Sequence, residues 1–225
     1  MLFLRYIYFI FSLEKMNSFS QTHQDLFALF MNRKKTNGTF LEIGANHPIS
    51  FNNTYLLESQ YQWKGLMIEY DPYFEKFYKT DRPLSIYQIQ DATKVDYKGL
   101  LEKHSFPNQM DYLQIDLDVD NKSTLDTLVL LDNTVFDHYT FATVTFEHDI
   151  YRGNYFDTRR ISREIFQKRG YELVFPDVLV YWEGGYKPFE DWYVHPDLVD
   201  MELIRSCRTD HSMISSEIIE RIQNL

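Results

Sequence analysis

Acidic side chains recur where the apolar runs of this chain stop, the places at which an open sheet meets its ligands. Glu42 and Gly44 close the run Thr39-Phe-Leu-Glu-Ile-Gly-Ala45, and Glu69 closes the run Gly65-Leu-Met-Ile-Glu69. An acid at the tip of a second strand accepts from both hydroxyls of a ribose, and a sharp turn after the first strand lets such a ligand come close. Asp91-Ala92 follows a third run, where an acid commonly faces the amino group of an adenine. Asp116, Asp118 and Asp120 come with a fourth run, and Glu147, His148 and Asp149 with a fifth. An unperturbed histidine titrates at about 6.5 and accepts a proton at neutral pH, which makes His148 the expected general base. Glu147 and Asp118 complete the expected catalytic set. Side chains alternate along a strand, so Glu147 and His148 are expected on opposite faces. Acids at apolar strand ends are costly to place unless something binds them, which favours ligand-holding roles for Glu42 and Glu69.

The elements that must position these groups follow from apolar periodicity. Strands are expected near 39–45, 65–70, 85–90, 110–118, 141–148 and 171–181, with helices near 50–60, 72–80, 96–104, 124–133 and 159–169 between them. A further helix is expected within Phe19 to Met31, and Ser123-Thr-Leu-Asp126 matches a capping box. Regular alternation means parallel strands joined by helical crossovers. The last third departs from it, because Tyr171 to Trp182 and Phe189 to Val194 are joined by the turn-prone Glu183-Gly-Gly-Tyr-Lys-Pro188 with no helix between. The expected fold is therefore α/β, a Rossmann-like seven-stranded sheet, mostly parallel with an antiparallel last strand and helices on both faces. Ile214, Ile218, Ile219 and Ile222 recur at helical spacing, so residues 201–225 are expected to end in an amphipathic helix packed on the domain or on a second subunit.

Composition narrows the partners. The 225 residues, 44% apolar and 25% charged, suit one domain, placed at 17–200. A formal charge of −10 argues against nucleic acid, which is bound through clustered Lys and Arg. The single cysteine, Cys207, forms no internal disulfide, and a cytoplasmic setting is the simplest expectation. The apolar segment over 1–16 is shorter than the roughly 20 residues that span a bilayer. It reads first as an extension, second as a helix on a partner or membrane surface and third as a cleaved signal, although no small-residue cleavage site follows it.

The first turn selects a cofactor. A pyrophosphate needs free N–H groups and close backbone approach, hence glycine-rich dinucleotide turns. Gly44-Ala45-Asn46-His47-Pro48 offers one glycine, and Pro48 removes a donor. A phosphate-free adenosyl cofactor, S-adenosylmethionine, fits better, and an antiparallel closing strand is what methyltransferases using it have. Glu42 and Asp116 would face its ammonium and sulfonium, Glu69 its ribose and Asp91-Ala92 its adenine. Gly44, Ala45, Asn46 and Tyr70 complete the expected binding set. Three carboxylates at 116, 118 and 120 would invite a divalent cation if the strand persisted. Asp120-Asn121-Lys122 reads as a turn instead, so no metal ligand is assigned. The aromatics Tyr181, Trp182, Tyr186, Trp192 and Tyr193 could fill a strand pair or form a lip on which a sugar stacks. Glu190 and Asp191 could equally pair with Arg159 or Arg160.

Between Ser18 and Asp197 several stretches fall in a characteristic order. They are Phe40-Leu-Glu-Ile-Gly-Ala-Asn46, Ser50-Phe-Asn-Asn-Thr-Tyr-Leu-Leu-Glu58, Trp63-Lys-Gly-Leu-Met-Ile-Glu69, Asp111-Tyr-Leu-Gln-Ile-Asp-Leu-Asp118, Phe146-Glu-His-Asp149 and Glu190-Asp-Trp-Tyr-Val-His-Pro196. Together they resemble the FkbM-type methyltransferases. The resemblance implies the seven-stranded fold and methyl transfer to an oxygen, often a hydroxyl of a sugar, glycan or secondary metabolite. His47-Pro48 stands where that family usually has Asp-Gly. The competing readings are a nicotinamide-dependent oxidoreductase or epimerase, and a non-catalytic binding module.

Overall fold

The computed structural model describes residues 16–224 apart from 119 and 121. The apolar extension over 1–16 lies, but for Met16, outside the described residues. Seven strands form one sheet: β1 (Thr39–Ile43), β2 (Lys64–Glu69), β3 (Ile86–Ile89), β4 (Gln109–Ile115), β5 (Thr140–Glu147), β6 (Glu172–Trp182) and β7 (Gly185–Val194). Their order is β3-β2-β1-β4-β5-β7-β6. β1 to β5 pair in parallel, and β7 runs antiparallel to both β5 and β6. The expected fold class is the one observed.

Helices cover both faces. α1 (Gln24–Met31), α2 (Tyr55–Tyr61), α7 (Met201–Cys207) and α8 (Ser215–Gln223) bury one core around Phe27, Trp63, Tyr112 and Trp192. α4 (Tyr97–Lys103), α5 (Ser123–Thr134) and α6 (Phe156–Lys168) bury the other around Leu113, Phe146, Phe166 and Tyr193. α3 (Glu75–Asp81) connects β2 to β3. Central strands buried on both faces read as continuous apolar runs, and β1 is buried at every position. Among the described residues no helix is long and apolar enough to cross a membrane.

Several boundaries differ from the sequence reading for identifiable reasons. α1 starts only at Gln24 because the Asp25 carboxylate gathers the preceding loop, accepting from Ser18 Oγ at 2.6 Å, Phe19 N at 2.7 Å and Ser20 Oγ at 2.8 Å. α2 starts at Tyr55 because Asn52, Asn53 and Thr54 are drawn onto Glu42. β4 stops at Ile115, so Asp118 and Asp120 are loop residues and share no strand face with Asp116. Lys122 is the N-cap of α5, with no side-chain cap of its own, so the expected capping box does not open the helix. Two helices occupy the C-terminal region in place of one, since the Asp200 carboxylate caps α7 through Glu202 N and Leu203 N.

Candidate active site

The strand order reverses between β1 and β4, and a cavity of about 730 Å³ opens there beyond the carboxyl ends of β1, β2, β4 and β5. Gly44 makes its floor. Its φ of 87° lies in the left-handed region, and a Cβ there would meet the Asp116 carbonyl oxygen at 1.7 Å. Only glycine lets these two chain segments pass so closely. Asn46 follows with φ 48°, and its backbone N–H donates to Glu69 Oε2 at 2.7 Å while Asp71 N donates to Oε1 at 2.7 Å. The Glu69 carboxylate is thereby fixed at the cavity wall with lone pairs left for a ligand. The Tyr78 hydroxyl donates to the Asn46 carbonyl. His47 Nδ1 accepts from Ile49 N at 3.1 Å and Ser50 N at 3.0 Å, so this histidine shapes the turn that replaces a glycine-rich loop.

The expected cofactor-binding residues separate into three groups. Gly44, Asn46, Glu69 and Asp116 line the large cavity. Tyr70, Asp91 and Ala92 line a neighbouring one of about 500 Å³, which shares Leu117 and Asp118 with the first. Asp91 caps a short 3₁₀ turn through Thr93 N and pairs with Lys94 at 2.7 Å, and these hydrogen bonds hold its carboxyl down at about 2. Glu42 and Ala45 lie beneath, outside both cavities. Ala45 N donates to Ile68 O, and its carbonyl accepts from Asn52 Nδ2 at 3.0 Å. Glu42 is fully buried and accepts from Thr54 Oγ1 at 2.7 Å, Asn53 N at 3.1 Å and Asn52 Nδ2 at 3.3 Å. Arg82, also fully buried, stands 3.7 Å from Glu42 and donates to Glu58 Oε2 at 2.8 Å. Burial pushes the Glu42 carboxyl up to about 7, against the pull of Arg82 and the three donors. Glu42 thus braces the 50–54 loop under the cavity, through an arginine that apolar periodicity gives no means of finding.

Strand parity sorts the catalytic candidates. Thr143, Thr145 and Glu147 pair with Val194, Trp192 and Glu190 and look toward α1, where Phe27 stacks on Trp192 with ring centroids 4.6 Å apart. Glu147 lies in the cavity wall beside Asp116. Burial is the chief cause of raised pKa values for both; Asp116 and Asp149 lift Glu147 further, well above the usual carboxylate range, while a hydrogen bond from Glu147 pulls Asp116 back.

His148 faces the other way. It is fully buried against α6, with Nε2 3.3 Å from Asp177 and 3.6 Å from Asp191, and neither ring nitrogen makes an aligned hydrogen bond. Burial disfavours its charged form, but the two carboxylates outweigh this and raise its pKa. Among the described residues, His148, Asp177 and Asp191 are a group whose potential metal-ligating atoms lie within 4.8 Å of one another. Arg159 already pairs with Asp177 at 2.9 Å, and Arg163 with Asp191 at 2.7 Å. Burial would raise both carboxyls, yet these arginines and His148 hold them below their ordinary range, the signature of a closed ion-pair network. Glu190 instead accepts from the Thr22 hydroxyl, and Arg160 pairs with Asp157 and Glu164.

Asp118 lines both cavities and accepts from Asp120 N at 3.0 Å. The Tyr155 hydroxyl donates to Asp120. The outer cavity wall is completed by Gln21, Phe51, Tyr151, Arg152 and Trp182. Of these the aromatic run around Trp182 was legible in the sequence. Gln21, Phe51, Tyr151 and Arg152 lie on loops with no spacing signal.

The chain matches no family model and no curated protein. Solved structures resemble it in shape. Rv0187 from MTB, solved with a cofactor bound, superposes with a TM-score of 0.52 at 14% identity, over 82% of this chain and 84% of that one. A Klebsiella pneumoniae protein described as an O-methyltransferase gives 0.51 at 12% identity, over 81% and 83%. The fold is that of the methyltransferases. A Clostridium thermocellum protein described as an rRNA methylase superposes at 0.50 with 11% identity, over 80% of this chain and 99% of its own. At these identities the likeness is one of architecture, and residue roles rest on the site itself.

Proposed function

We propose that this chain is an S-adenosylmethionine-dependent O-methyltransferase of the FkbM type, acting in the cytoplasm on a hydroxyl of a sugar, glycan or related small metabolite. The observation that carries the reading is the turn at Gly44. Its close pass over Asp116 gives a ligand access to the sheet edge, and Glu69 stands ready for a ribose. The one glycine and Pro48 leave no cradle for a pyrophosphate. These groups fit an adenosyl cofactor: Glu69 would hold the ribose, Tyr70, Asp91 and Ala92 the adenine end, and Asp116 the cationic end. Bound there, the cofactor supplies an electrophilic methyl group. The protein's part is to orient the acceptor oxygen in line and to take its proton. Asp116 and Glu147 are placed for the second task, and His148 holds β5, β7 and α6 together behind them. The FkbM resemblance and the aromatic rim support a polyhydroxyl acceptor.

The test is thermal denaturation with S-adenosylhomocysteine or NAD, since a ligand that binds only the folded state raises Tm. S-adenosylhomocysteine should stabilise the protein, and Glu69→Ala should abolish the shift. Stabilisation by NAD alone, or by neither ligand, overturns the proposal.

A further inference from the structure

Asp149, Tyr151, Arg152 and Trp182 form the end of the cavity beyond Glu147 and have no task in holding the cofactor. β5 lies two strands from β1, about 10 Å at the usual strand spacing, so this end faces the acceptor. Asp149 is built into it with care. Its φ of 49° is a conformation that residues other than glycine seldom adopt, and it is pinned by a backbone hydrogen bond of 3.0 Å to Phe189 O. The residue is 1% exposed and is among those that line the cavity. Oδ2 accepts from Arg152 Nη1 at 3.0 Å, while Oδ1 has no hydrogen-bond partner. A buried carboxylate oxygen with no donor is expensive, and an incoming donor removes that cost.

Charge says which donor. Glu69, Asp116, Asp118, Asp120, Glu147 and Asp149 line the cavity, and the one arginine among its lining residues, Arg152, is divided between Asp149 and, at 4.0 Å, Asp120. A cavity walled mostly by one sign of charge concentrates ligands of the other sign. A charged donor also makes the stronger hydrogen bond to a carboxylate. Tyr151 and Trp182, with ring centroids 6.0 Å apart, stand at the mouth and offer faces that attract a cation. We propose that Asp149 Oδ1 anchors an ammonium group of the acceptor, so that the substrate is an amino sugar or another amine bearing a hydroxyl. Neutral sugars lack the charge, and uronic acids and phosphodiesters carry the wrong one. The inference rests on the methyltransferase reading of the same cavity.

The experiment titrates the protein, saturated with S-adenosylhomocysteine at neutral pH, with D-glucosamine, D-glucose, N-acetyl-D-glucosamine, D-glucuronate and a short RNA, following binding by ligand-observed NMR. Glucosamine should bind about tenfold more tightly than the neutral sugars, a difference of roughly 1.4 kcal/mol. Asp149→Asn should erase that preference and keep S-adenosylhomocysteine binding. Trp182→Leu serves as a second variant should Asp149→Asn fail to fold, and should weaken glucosamine several-fold with the same control intact. Equal affinities, preference for glucuronate or RNA, no sugar binding, or selectivity that survives both substitutions overturns the inference. Failure of S-adenosylhomocysteine itself to bind would instead remove the reading on which it rests.

Discussion

Adjacent residues at the end of β5 have opposite fates, because 147 and 148 lie on different sides of the pleat. Glu147 reaches the cavity, and His148 is locked among Asp177, Asp191 and the α6 arginines. A residue-scale prediction follows from the raised Glu147 carboxyl. Burial raises both Asp116 and Glu147, Asp116 and Asp149 raise Glu147 further, and Glu147 must be ionised to accept a proton from a hydroxyl. The rate of the proposed methyl transfer should therefore climb with pH above the ordinary carboxylate range. Glu147→Gln should lower it about 10²- to 10⁴-fold and flatten that limb, as loss of an acid–base group does. A parent profile that is flat from weakly acid to alkaline pH, or a fully active variant, would refute the assignment. The types of these residues were readable in advance, as was their separation onto two faces. Which face would hold the ligand was not, because that depends on the helices packed behind each side.

Among the elements, the β5–β7 pair carries the least expected chemistry. Glu190 stands directly across from Glu147 and is closed off by Thr22, in the loop before α1. Burial lifts its carboxyl to about 8, the Thr22 hydroxyl donor notwithstanding. The folded chain then keeps a proton that the unfolded chain, with a carboxyl near 4.5, releases. Stability from this group is fully present below about 4.5 and is lost as pH rises through about 8; Glu42, raised to about 7, acts in the same direction. Tm should fall across that window, and Glu190→Gln should make the fall shallower. An unchanged slope in the variant would contradict the buried proton. Sequence periodicity predicted β5 as a strand and β6 and β7 as antiparallel neighbours, since no helix joins Tyr171 to Val194. It gave no sign of Thr22 over Glu190 or of Arg82 under Glu42, contacts made across 168 and 40 residues of chain respectively, where local pattern carries no information.

At the scale of the whole molecule, the sheet order puts the reversal point between β1 and β4, and everything functional collects at that one edge. The fold class was legible because strand-like and helix-like runs alternate until the last third, where two strand-like runs follow each other with no helix between. The outer wall was not, because it is assembled from the loop before α1, the turn after β1, the loop after β5 and the β6–β7 hairpin, which meet only after folding. That assembly makes the molecule its own optical probe. Of its three tryptophans, Trp63 and Trp192 are fully buried, while Trp182 is 46% exposed at the cavity mouth. Collisional quenching by acrylamide should reach this one fluorophore. A molecule entering the cavity should shield it, and Trp182→Phe should silence the response, so that occupancy can be followed by emission before any product has been identified.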